Sequence, residues 1–341
     1  MNKPSPGNKP SAAAARFRTE AAKRILVTDG AWGTMIQTFG LAEADYAGTL
    51  GLSHEQKGNN DMLCLTRPDI IEKITQGYLD AGSDIVSTNT FSSTTISQAD
   101  YGAEHLVREL NLAAAGIARR AADAAQAKDG RPRFVAGALG PTNKTLSLSP
   151  DVNDPGFREV DYDQVKDVYT QQIQALLDGG VDFILIETIF DTLNAKAAIM
   201  AVLEESDRRG VEIPIMISMT ITDMSGRNLS GHAIDAFWWA VRHARPLTVG
   251  LNCSFGADLL RPHVQLLSGI ADTLLMSYPN AGLPNELGQY DELPARTGSL
   301  VEEWAKEGLI NVIGGCCGTT PGHIKAMADA ERGSPPRPVP V

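Results

Sequence analysis

The sequence predicts a (β/α)8 TIM barrel, and three observations lead to that prediction. Eight short apolar runs recur along the 341 residues, and a longer amphipathic stretch follows each one. The runs are rich in Ile, Val and Leu without polar–apolar alternation, as expected of parallel strands that are buried on both faces. The turns that lead into the runs are short, whereas several segments that follow them are long. A doubly wound open sheet is the alternative.

The predicted elements alternate along the whole chain. The strands are predicted at 25–29, 84–88, 134–139, 182–187, 214–219, 247–252, 273–278 and 309–314. The helices are predicted at 69–81, 104–127, 165–178, 192–209, 233–243, 257–267, 300–306 and 321–331. The long segments 30–67, 140–162 and 279–298 each follow a strand, so they belong at the C-terminal face of the barrel, where such barrels build their active sites.

The two ends of the chain differ from the middle in composition. Residues 1–18 lack an apolar signal core and contain Pro and Gly, so we predict a disordered arm there. The barrel is predicted over 19–332, and a Pro-rich extended tail over 333–341, because Pro cannot continue a helix. No apolar run is long enough to span a membrane. The net charge of −11 disfavours nucleic-acid binding, and a cytoplasmic protein is expected.

The chain has four cysteines, which are too few and too unevenly spaced for a disulfide framework. Cys253 follows the sixth predicted strand, and Cys316 and Cys317 follow the eighth, so all three thiols belong at one barrel face. We expect the glycines around the adjacent pair to allow backbone angles that turn both sulfurs inward. Three thiolates with an open position are typical of catalytic zinc. Cys64, in an apolar context, is predicted to be a buried small hydrophobe.

The cysteine pattern also predicts a reaction class. Zinc held by three thiolates is electron-rich, so it suits a thiol substrate that binds as a thiolate and remains nucleophilic. This points to alkyl transfer onto sulfur, without specifying the substrate. The alternatives are a structural or storage zinc site without catalysis and a redox switch with a disulfide from Cys253 to Cys316 or Cys317. A structural site would need a histidine, and the nearest one, His323, is expected on the surface of the last helix.

Several segments together carry a family resemblance. They are Asp29–Gln37, Gly58–Asp61, Thr88–Phe91, Gly137–Lys144, Ile186–Thr188, Asn252–Ser254, Tyr278–Gly282 and Gly314–Gly318. With these segments the chain resembles the homocysteine-binding modules of cobalamin-dependent methionine synthases over nearly its whole length. The cysteines, the Asp-Gly turn and the glutamate of the fourth strand are shared with the wider homocysteine S-methyltransferase family. The Gly-Asn-Asn-Asp and Gly-Pro-Thr-Asn-Lys segments look more like the cobalamin-dependent branch than the betaine-dependent one.

The resemblance implies a (β/α)8 barrel with zinc on Cys253, Cys316 and Cys317. It also implies L-homocysteine as the methyl acceptor and methylcobalamin as the donor, with methionine as the product. No Asp-x-His-x-x-Gly segment of the cobalamin-holding type occurs in the chain. We therefore expect a cobalamin- and folate-binding methionine synthase chain, or further modules, to supply the donor. A methyltransferase that uses betaine or S-methylmethionine is the alternative.

With this resemblance, roles can be assigned to the polar groups at the strand ends. Glu187 is expected to pair with the ammonium group of homocysteine, and Asp29 to assist or orient it. The turn formed by Gly30, Ala31, Trp32 and Gly33 is expected to offer backbone N–H groups to the substrate carboxylate.

Four asparagines end strands or open loops on the same face. Asn89, Asn143 and Asn252 either hold the pocket by hydrogen bonds or cap loops. Asn280 lies between the two cysteine-bearing strands in sequence order, so its amide oxygen is a candidate fourth zinc ligand that leaves when homocysteine arrives. The alternative for Asn280 is an ordinary turn.

Overall fold

Eight parallel strands form one sheet in this protein, whose structure is a computed structural model that describes residues 7–340. The strands are β1 Leu26–Val27, β2 Ile85–Ser87, β3 Phe134–Leu139, β4 Phe183–Ile189, β5 Ile215–Met219, β6 Thr248–Gly256, β7 Leu274–Asn280 and β8 Val312–Ile313. Every neighbouring pair in the order β1-β8-β7-β6-β5-β4-β3-β2 is parallel. All eight predicted strands are therefore present, although β1 and β8 are each shorter than predicted.

The first and last strands of that order meet and close the sheet. Thr28 forms a parallel bridge with Ile85, and the Asp84 N–H donates to the Val27 carbonyl at 2.7 Å. Closure leaves no free sheet edge, which distinguishes a barrel from an open sheet. The predicted (β/α)8 TIM barrel is confirmed.

Helices surround the barrel and also occupy its long loops. They are α1 Ala12–Ala21, α2 Gly33–Gln37, α3 Glu43–Ala47, α4 Leu63–Thr66, α5 Pro68–Ala81, α6 Thr95–Gln98, α7 Val107–Asp129, α8 Tyr162–Asp178, α9 Thr192–Arg209, α10 Ile234–Val241, α11 Ala257–Ile270, α12 Pro294–Lys306 and α13 Pro321–Ala330. The long helices α5 and α7 to α13 correspond to the predicted ones, whereas α2, α3, α4 and α6 are short helices within the loops after β1 and β2. No helix within residues 7–340 has the length and apolarity that a bilayer crossing needs.

The predicted N-terminal arm is wrong for the residues from Ala12 to Arg18, which belong to α1. Ser11 caps this helix by accepting from the Ala14 N–H, and Phe17 is fully buried in the N-terminal end of the barrel. Its ring contacts Phe134 and Phe183 edge-on, with centroids 5.4 and 5.2 Å apart. The helix has one large apolar residue, so its stability comes from this tertiary contact rather than from a sequence pattern. Residues 1–6 of the predicted arm lie outside the described residues.

The C-terminal tail, which is predicted to be extended, is held against the barrel. Arg337 is buried, and its guanidinium donates to the carbonyls of Ser268, Ala271 and Thr273. Its own carbonyl accepts from the Asn311 side chain at 2.8 Å. The tail is extended, as the prolines predict, but these bonds satisfy helix and loop carbonyls that would otherwise lack a partner.

Candidate metal centre and active site

Three cysteine sulfurs meet at the C-terminal face of the barrel. Cys253 lies near the end of β6, and Cys316 and Cys317 follow β8. The three Sγ atoms lie within 4.8 Å of one another, with 3.8 Å between those of Cys253 and Cys317. Zn–S bonds of about 2.3 Å in a tetrahedron place neighbouring sulfurs about 3.8 Å apart. The spacing therefore fits a zinc ion with little movement, and all three thiols are free of disulfides.

The thiols interact with one another. Hydrogen bonds from Cys253 and Cys316 hold the pKa of the Cys317 thiol well below its usual range. Hydrogen bonding to Cys253 and Cys317, together with burial, raises the pKa of Cys316 well above its usual range. The cluster therefore favours thiolate at one position, and metal binding would release the remaining thiol protons.

Unusual backbone angles occur at the end of β6, around Cys253, and not at the two glycines before the cysteine pair. Cys253 and Ser254 have φ angles of 61° and 66°, in the left-handed region that few non-glycine residues adopt. The register between β6 and β7 shifts at this point, between Asn252 and Gly256. Ser254 holds the bend through a 2.7 Å hydrogen bond between its hydroxyl and that of Thr220. Such strain is typical of functional sites.

The glycines before Cys316 are needed for space. A Cβ at Gly314 would lie 2.2 Å from the Thr28 side chain, and one at Gly315 would lie 2.3 Å from the Thr319 hydroxyl oxygen. Both distances are far below a van der Waals contact. For Gly314 and Gly315 the expected reason, free backbone angles, is therefore wrong, since close approach between β8, β1 and the following turn requires glycine there. Gly318, directly after the cysteine pair, does have a positive φ of 78°, as expected.

Asn280 supplies a candidate fourth ligand. It ends β7, the strand between β6 and β8, and it is buried. Its amide oxygen has no hydrogen-bond partner among the residues that the structure describes. A buried acceptor without a partner costs about 1–3 kcal/mol, and a metal ion would remove that cost. Backbone bonds from the Cys316 N–H to the Pro279 carbonyl at 2.8 Å and from the Ala281 N–H to the Cys317 carbonyl at 2.9 Å hold the end of β7 beside the cysteine pair. Three sulfurs and one neutral oxygen are a donor set that suits zinc.

A cavity of about 500 Å³ opens in front of the sulfurs. Many of the predicted site residues line it, namely Asp29, Gly30, Ala31, Trp32, Gly33, Asn89, Glu187, Cys253, Cys316 and Cys317. The upper walls come from the loops after β1, β2 and β7, and the floor comes from the barrel interior. This volume is within the usual range of small-molecule sites, about 300–1,000 Å³.

Glu187 and Asp29 are carboxyl groups that line this cavity. The Tyr278 hydroxyl donates a hydrogen bond to Glu187 Oε2 at 3.1 Å. Burial, together with the charges of Asp29 and Cys317, raises the pKa of Glu187 to about 8, although the hydrogen bond from Tyr278 opposes the rise. Burial also raises the pKa of Asp29 to about 6, although hydrogen bonds from Ser87 oppose the rise. A cation that enters between these groups would favour their charged forms.

Comparison with known proteins adds the family. The family model for homocysteine S-methyltransferases matches residues 26–330. The chain belongs to the homocysteine S-methyltransferase family. It is therefore a methyltransferase, and the predicted family and enzyme class are confirmed.

Solved structures of the homocysteine methyltransferase MmuM from Escherichia coli share the fold. The oxidized form matches with a TM-score of 0.72 and 21% identity, and covers 93% of this chain and 99% of MmuM. The metallated form matches with a TM-score of 0.69 and 22% identity over the same shares. At this identity the likeness concerns the barrel fold alone.

The turn after β1 contains the backbone N–H groups that are predicted to bind the substrate carboxylate. The Ala31 N–H already donates to the Thr319 hydroxyl at 3.1 Å, so Ala31 is not available for a substrate. Gly30 is needed because a Cβ there would lie 2.8 Å from the same hydroxyl oxygen. The N–H groups of Gly30, Trp32 and Gly33 stay as the candidates for the predicted contact.

Ser87 is a site residue that sequence reasoning missed. Its N–H and hydroxyl donate to Asp29 Oδ2 at 2.7 and 2.8 Å, and its hydroxyl accepts from the Trp32 indole at 3.0 Å. Ser87 therefore fixes Asp29 and the Trp32 ring together at the cavity wall. A serine at the end of an apolar strand gives no distinctive sequence signal, so only the structure reveals this role.

The three asparagines that are predicted to hold the pocket or to cap loops lie in different environments. Asn89 lines the cavity, and its amide donates to the Asn60 carbonyl at 2.9 Å, which joins the loops after β1 and β2. Asn143 instead donates to Asp100 on the surface. Asn252 is fully buried and does not line the cavity. Asn252 bonds to Thr188 and Ser218 instead, so its position agrees with the prediction that it holds the pocket by hydrogen bonds, without contact with a substrate.

The Gly-Asn-Asn-Asp segment also contributes to the cavity. Asp61 is buried there, and it accepts from the Ser92 N–H at 2.8 Å and the Ser93 hydroxyl at 2.6 Å. Burial raises its pKa to about 6. The segment carried the family resemblance, but no side-chain role followed from its sequence.

His323 lies in the first turn of α13, as predicted, but it is buried rather than exposed. Its Nδ1 is 2.9 Å from the Thr320 hydroxyl, and its Nε2 is 2.7 Å from the Glu292 carbonyl. Both ring nitrogens therefore have partners in a helix cap. This removes the histidine that a closed structural zinc site would need. Cys64 is buried, as predicted.

Proposed function

We propose that this homocysteine S-methyltransferase is zinc-dependent and belongs to the methionine synthase type, with homocysteine as acceptor and methylcobalamin as donor. The observation that carries the proposal is the set of three free sulfurs at zinc spacing beside a cavity that contains Glu187. When bound, zinc would keep the substrate sulfur as a nucleophilic thiolate near neutral pH.

The residues of the chain hold and orient the substrate in this proposal. Cys253, Cys316 and Cys317 bind the metal, and Asn280 completes its ligands until the substrate arrives. Glu187, with Tyr278 bonded to one of its oxygens, accepts the ammonium group and loses its proton as it does so. Ser87 keeps Asp29 ionised toward the same group. The backbone after β1 receives the carboxylate.

Two features support methylcobalamin, which supplies an electrophilic methyl group. The first is the resemblance of the Gly58–Asp61 and Gly137–Lys144 segments to the cobalamin-dependent branch. The second is the open C-terminal face, because a large donor has to bring its methyl group to about 3–3.5 Å from the substrate sulfur. A partner chain or further modules would hold the cobalamin.

A small cationic donor is the second candidate, since aromatic rings line the same cavity. Trp32, Phe91, Tyr101 and Tyr290 all contribute to its walls. Aromatic faces attract the quaternary ammonium of betaine or the sulfonium of S-methylmethionine by cation–π interaction. This donor requires no partner chain.

X-ray absorption at the zinc edge tests the metal centre. We expect three sulfur neighbours and one lighter neighbour in the purified protein, and four sulfur neighbours after homocysteine is added. In Asn280→Ala, water should take the place of the lighter ligand while three sulfurs stay. Four protein ligands that homocysteine does not displace would contradict the proposal and favour a storage or structural site.

The donor is tested by mixing the zinc-loaded chain with homocysteine and each donor in turn. We expect zinc-dependent loss of the methyl–cobalt absorbance with free methylcobalamin, together with methionine formation. Fast methionine formation from betaine or S-methylmethionine, without any reaction of methylcobalamin, would favour the small donor instead.

A further inference from the structure

The buried amide of Asn252 lies behind the cavity, between the metal ligands and Glu187. Its Oδ1 accepts from the Thr188 N–H at 3.1 Å and from the Ser218 hydroxyl at 2.7 Å. Its Nδ2 donates to the Thr188 hydroxyl at 2.9 Å and lies 3.8 Å from Cys316 Sγ. A flipped amide would place its NH₂ group against the Thr188 N–H, so the orientation of the side chain is fixed.

One consequence concerns the sulfur. With the amide fixed in this way, an N–H group points toward Cys316 in a fully buried position. A hydrogen bond to a metal-bound thiolate orients the ligand and reduces the charge that the sulfur donates to the metal. Loss of such a second layer of hydrogen bonds around a metal site typically lowers metal affinity by about 10- to 100-fold.

Another consequence concerns the carboxylate. Thr188 directly follows Glu187 and has a φ of 55°, an unfavourable angle for a β-branched residue. Asn252 holds this residue at both its N–H and its hydroxyl. The strained corner sets the direction in which the Glu187 side chain leaves β4, where the register with β5 also shifts. Release of Thr188 would let the corner relax and move the carboxylate.

We propose that Asn252 is a positioning residue that couples the metal ligand Cys316 to the ammonium-binding corner at Glu187 and Thr188. One amide thereby sets both the sulfur that binds the metal and the carboxylate that orients the substrate. This inference rests on the proposed function, since it concerns the same metal and the same substrate. It assigns Asn252 a role without substrate contact, and it specifies which two parts of the pocket the hydrogen bonds of this residue hold.

The test compares Asn252→Ala with Asn311→Ala. Asn311 is a matched control because it is another buried amide that bridges strands, but at the opposite end of the barrel, where it accepts from the Leu275 N–H and donates to the Arg337 carbonyl. We expect Asn252→Ala to bind zinc about 10- to 100-fold more weakly in competition with a chromophoric chelator, and Asn311→Ala to lose thermal stability alone. Cobalt(II) in place of zinc should show its sulfur charge-transfer band at lower energy in Asn252→Ala.

Variants of Thr188 test the contact between Asn252 and Thr188 separately from the contact between Asn252 and Cys316. They also provide the test if Asn252→Ala does not fold. Thr188→Ala should raise the KM for homocysteine more than it lowers kcat, with little effect on zinc affinity, and Thr188→Ser should restore the KM. The inference is overturned if Asn252→Ala resembles Asn311→Ala in every measurement, or if Thr188→Ala leaves the KM unchanged. Wild-type protein without zinc affinity would instead contradict the proposed function itself.

Discussion

Single residues of the site carry backbone strain that the rest of the barrel has to support. Thr188, Cys253 and Ser254 have φ angles of 55°, 61° and 66°, and all three lie at the ends of β4 and β6. Each such residue costs about 1–3 kcal/mol. Side-chain hydrogen bonds hold them, from Asn252 to Thr188 and between Ser254 and Thr220. The strain therefore lowers the stability of the fold while it fixes the directions of the Glu187 carboxylate and the Cys253 thiol.

Glu187 is the residue whose titration affects stability most directly. Its pKa is about 8 in the folded, metal-free protein and 4.5 in the unfolded chain. Because the folded pKa is raised, the contribution of protonated Glu187 to stability is complete below pH 4.5 and is lost as the pH rises through about 8. We predict that Glu187→Gln, which stays neutral, becomes more stable relative to wild type as the pH rises across that window.

Urea unfolding of the metal-free protein at several pH values measures this difference. Asp29→Asn, in the same cavity, is the comparison, since its raised pKa of about 6 predicts a narrower window that ends at a lower pH. Parallel stability profiles for wild type and Glu187→Gln would contradict the raised pKa of Glu187.

Among the elements, α1 has a larger part in the fold than its sequence suggests. Phe17 packs against both Phe134 and Phe183 at the N-terminal end of the barrel, and Arg16 lies over the Phe134 ring. We predict that Phe17→Ala lowers the free energy of unfolding by about 3–5 kcal/mol, the usual loss for a buried aromatic residue. Because the site is at the opposite face, kcat and KM should stay near their wild-type values below the unfolding transition.

Denaturant unfolding and steady-state kinetics together check that prediction. Arg18→Ala on the exposed side of α1 is the control and should change stability by less than about 0.5 kcal/mol. If Phe17→Ala lowers the free energy of unfolding as little as Arg18→Ala does, α1 does not stabilise the N-terminal end of the barrel in solution.

Strand β6 is the element whose boundary matters most for the site. The prediction ended it at Asn252, but it continues to Gly256 and carries Cys253 within its strained end. At Gly250 a Cβ would lie 1.8 Å from the Met276 carbonyl oxygen, so glycine allows β6 and β7 to approach closely. The apolar pattern predicted the strand, but its polar end lacks that pattern and its extension depends on pairing with β7.

At the scale of the whole molecule, residues that stabilise the barrel and residues of the candidate site lie at opposite faces. Asp84 is fully buried near the N-terminal face, where it pairs with Arg24 and Arg131 and accepts from the Val27 N–H. The cysteines, Glu187 and Asp29 lie at the other face. This division is usual for TIM barrels, in which the C-terminal loops vary with the chemistry while the strands and helices provide the core.

That division predicts the result of removing a metal ligand. Cys316→Ala should lose zinc and methyl transfer together but stay folded, because the ligands project from a barrel that hydrogen bonds and the core already close. Metal analysis, far-ultraviolet circular dichroism and a thermal melt measure the three properties. Cys64→Ala is the control and should keep its zinc. Full zinc content in Cys316→Ala, or an unfolded apo protein, would contradict this account.

The sequence by itself determined the fold class, the family, the order of the elements and the three cysteines of the candidate metal centre. Eight apolar runs without alternation, each followed by an amphipathic stretch, predict parallel strands that are buried on both faces, and the strand ends then place Cys253 and Cys316 on one face. Only the tertiary structure decided the roles of Ser87, Asn252 and α1. Their functions depend on contacts between residues far apart in the chain, such as Ser87 with Asp29 and Asn252 with Thr188. Local composition does not encode such contacts, because they arise only when the closed barrel brings its strand ends together.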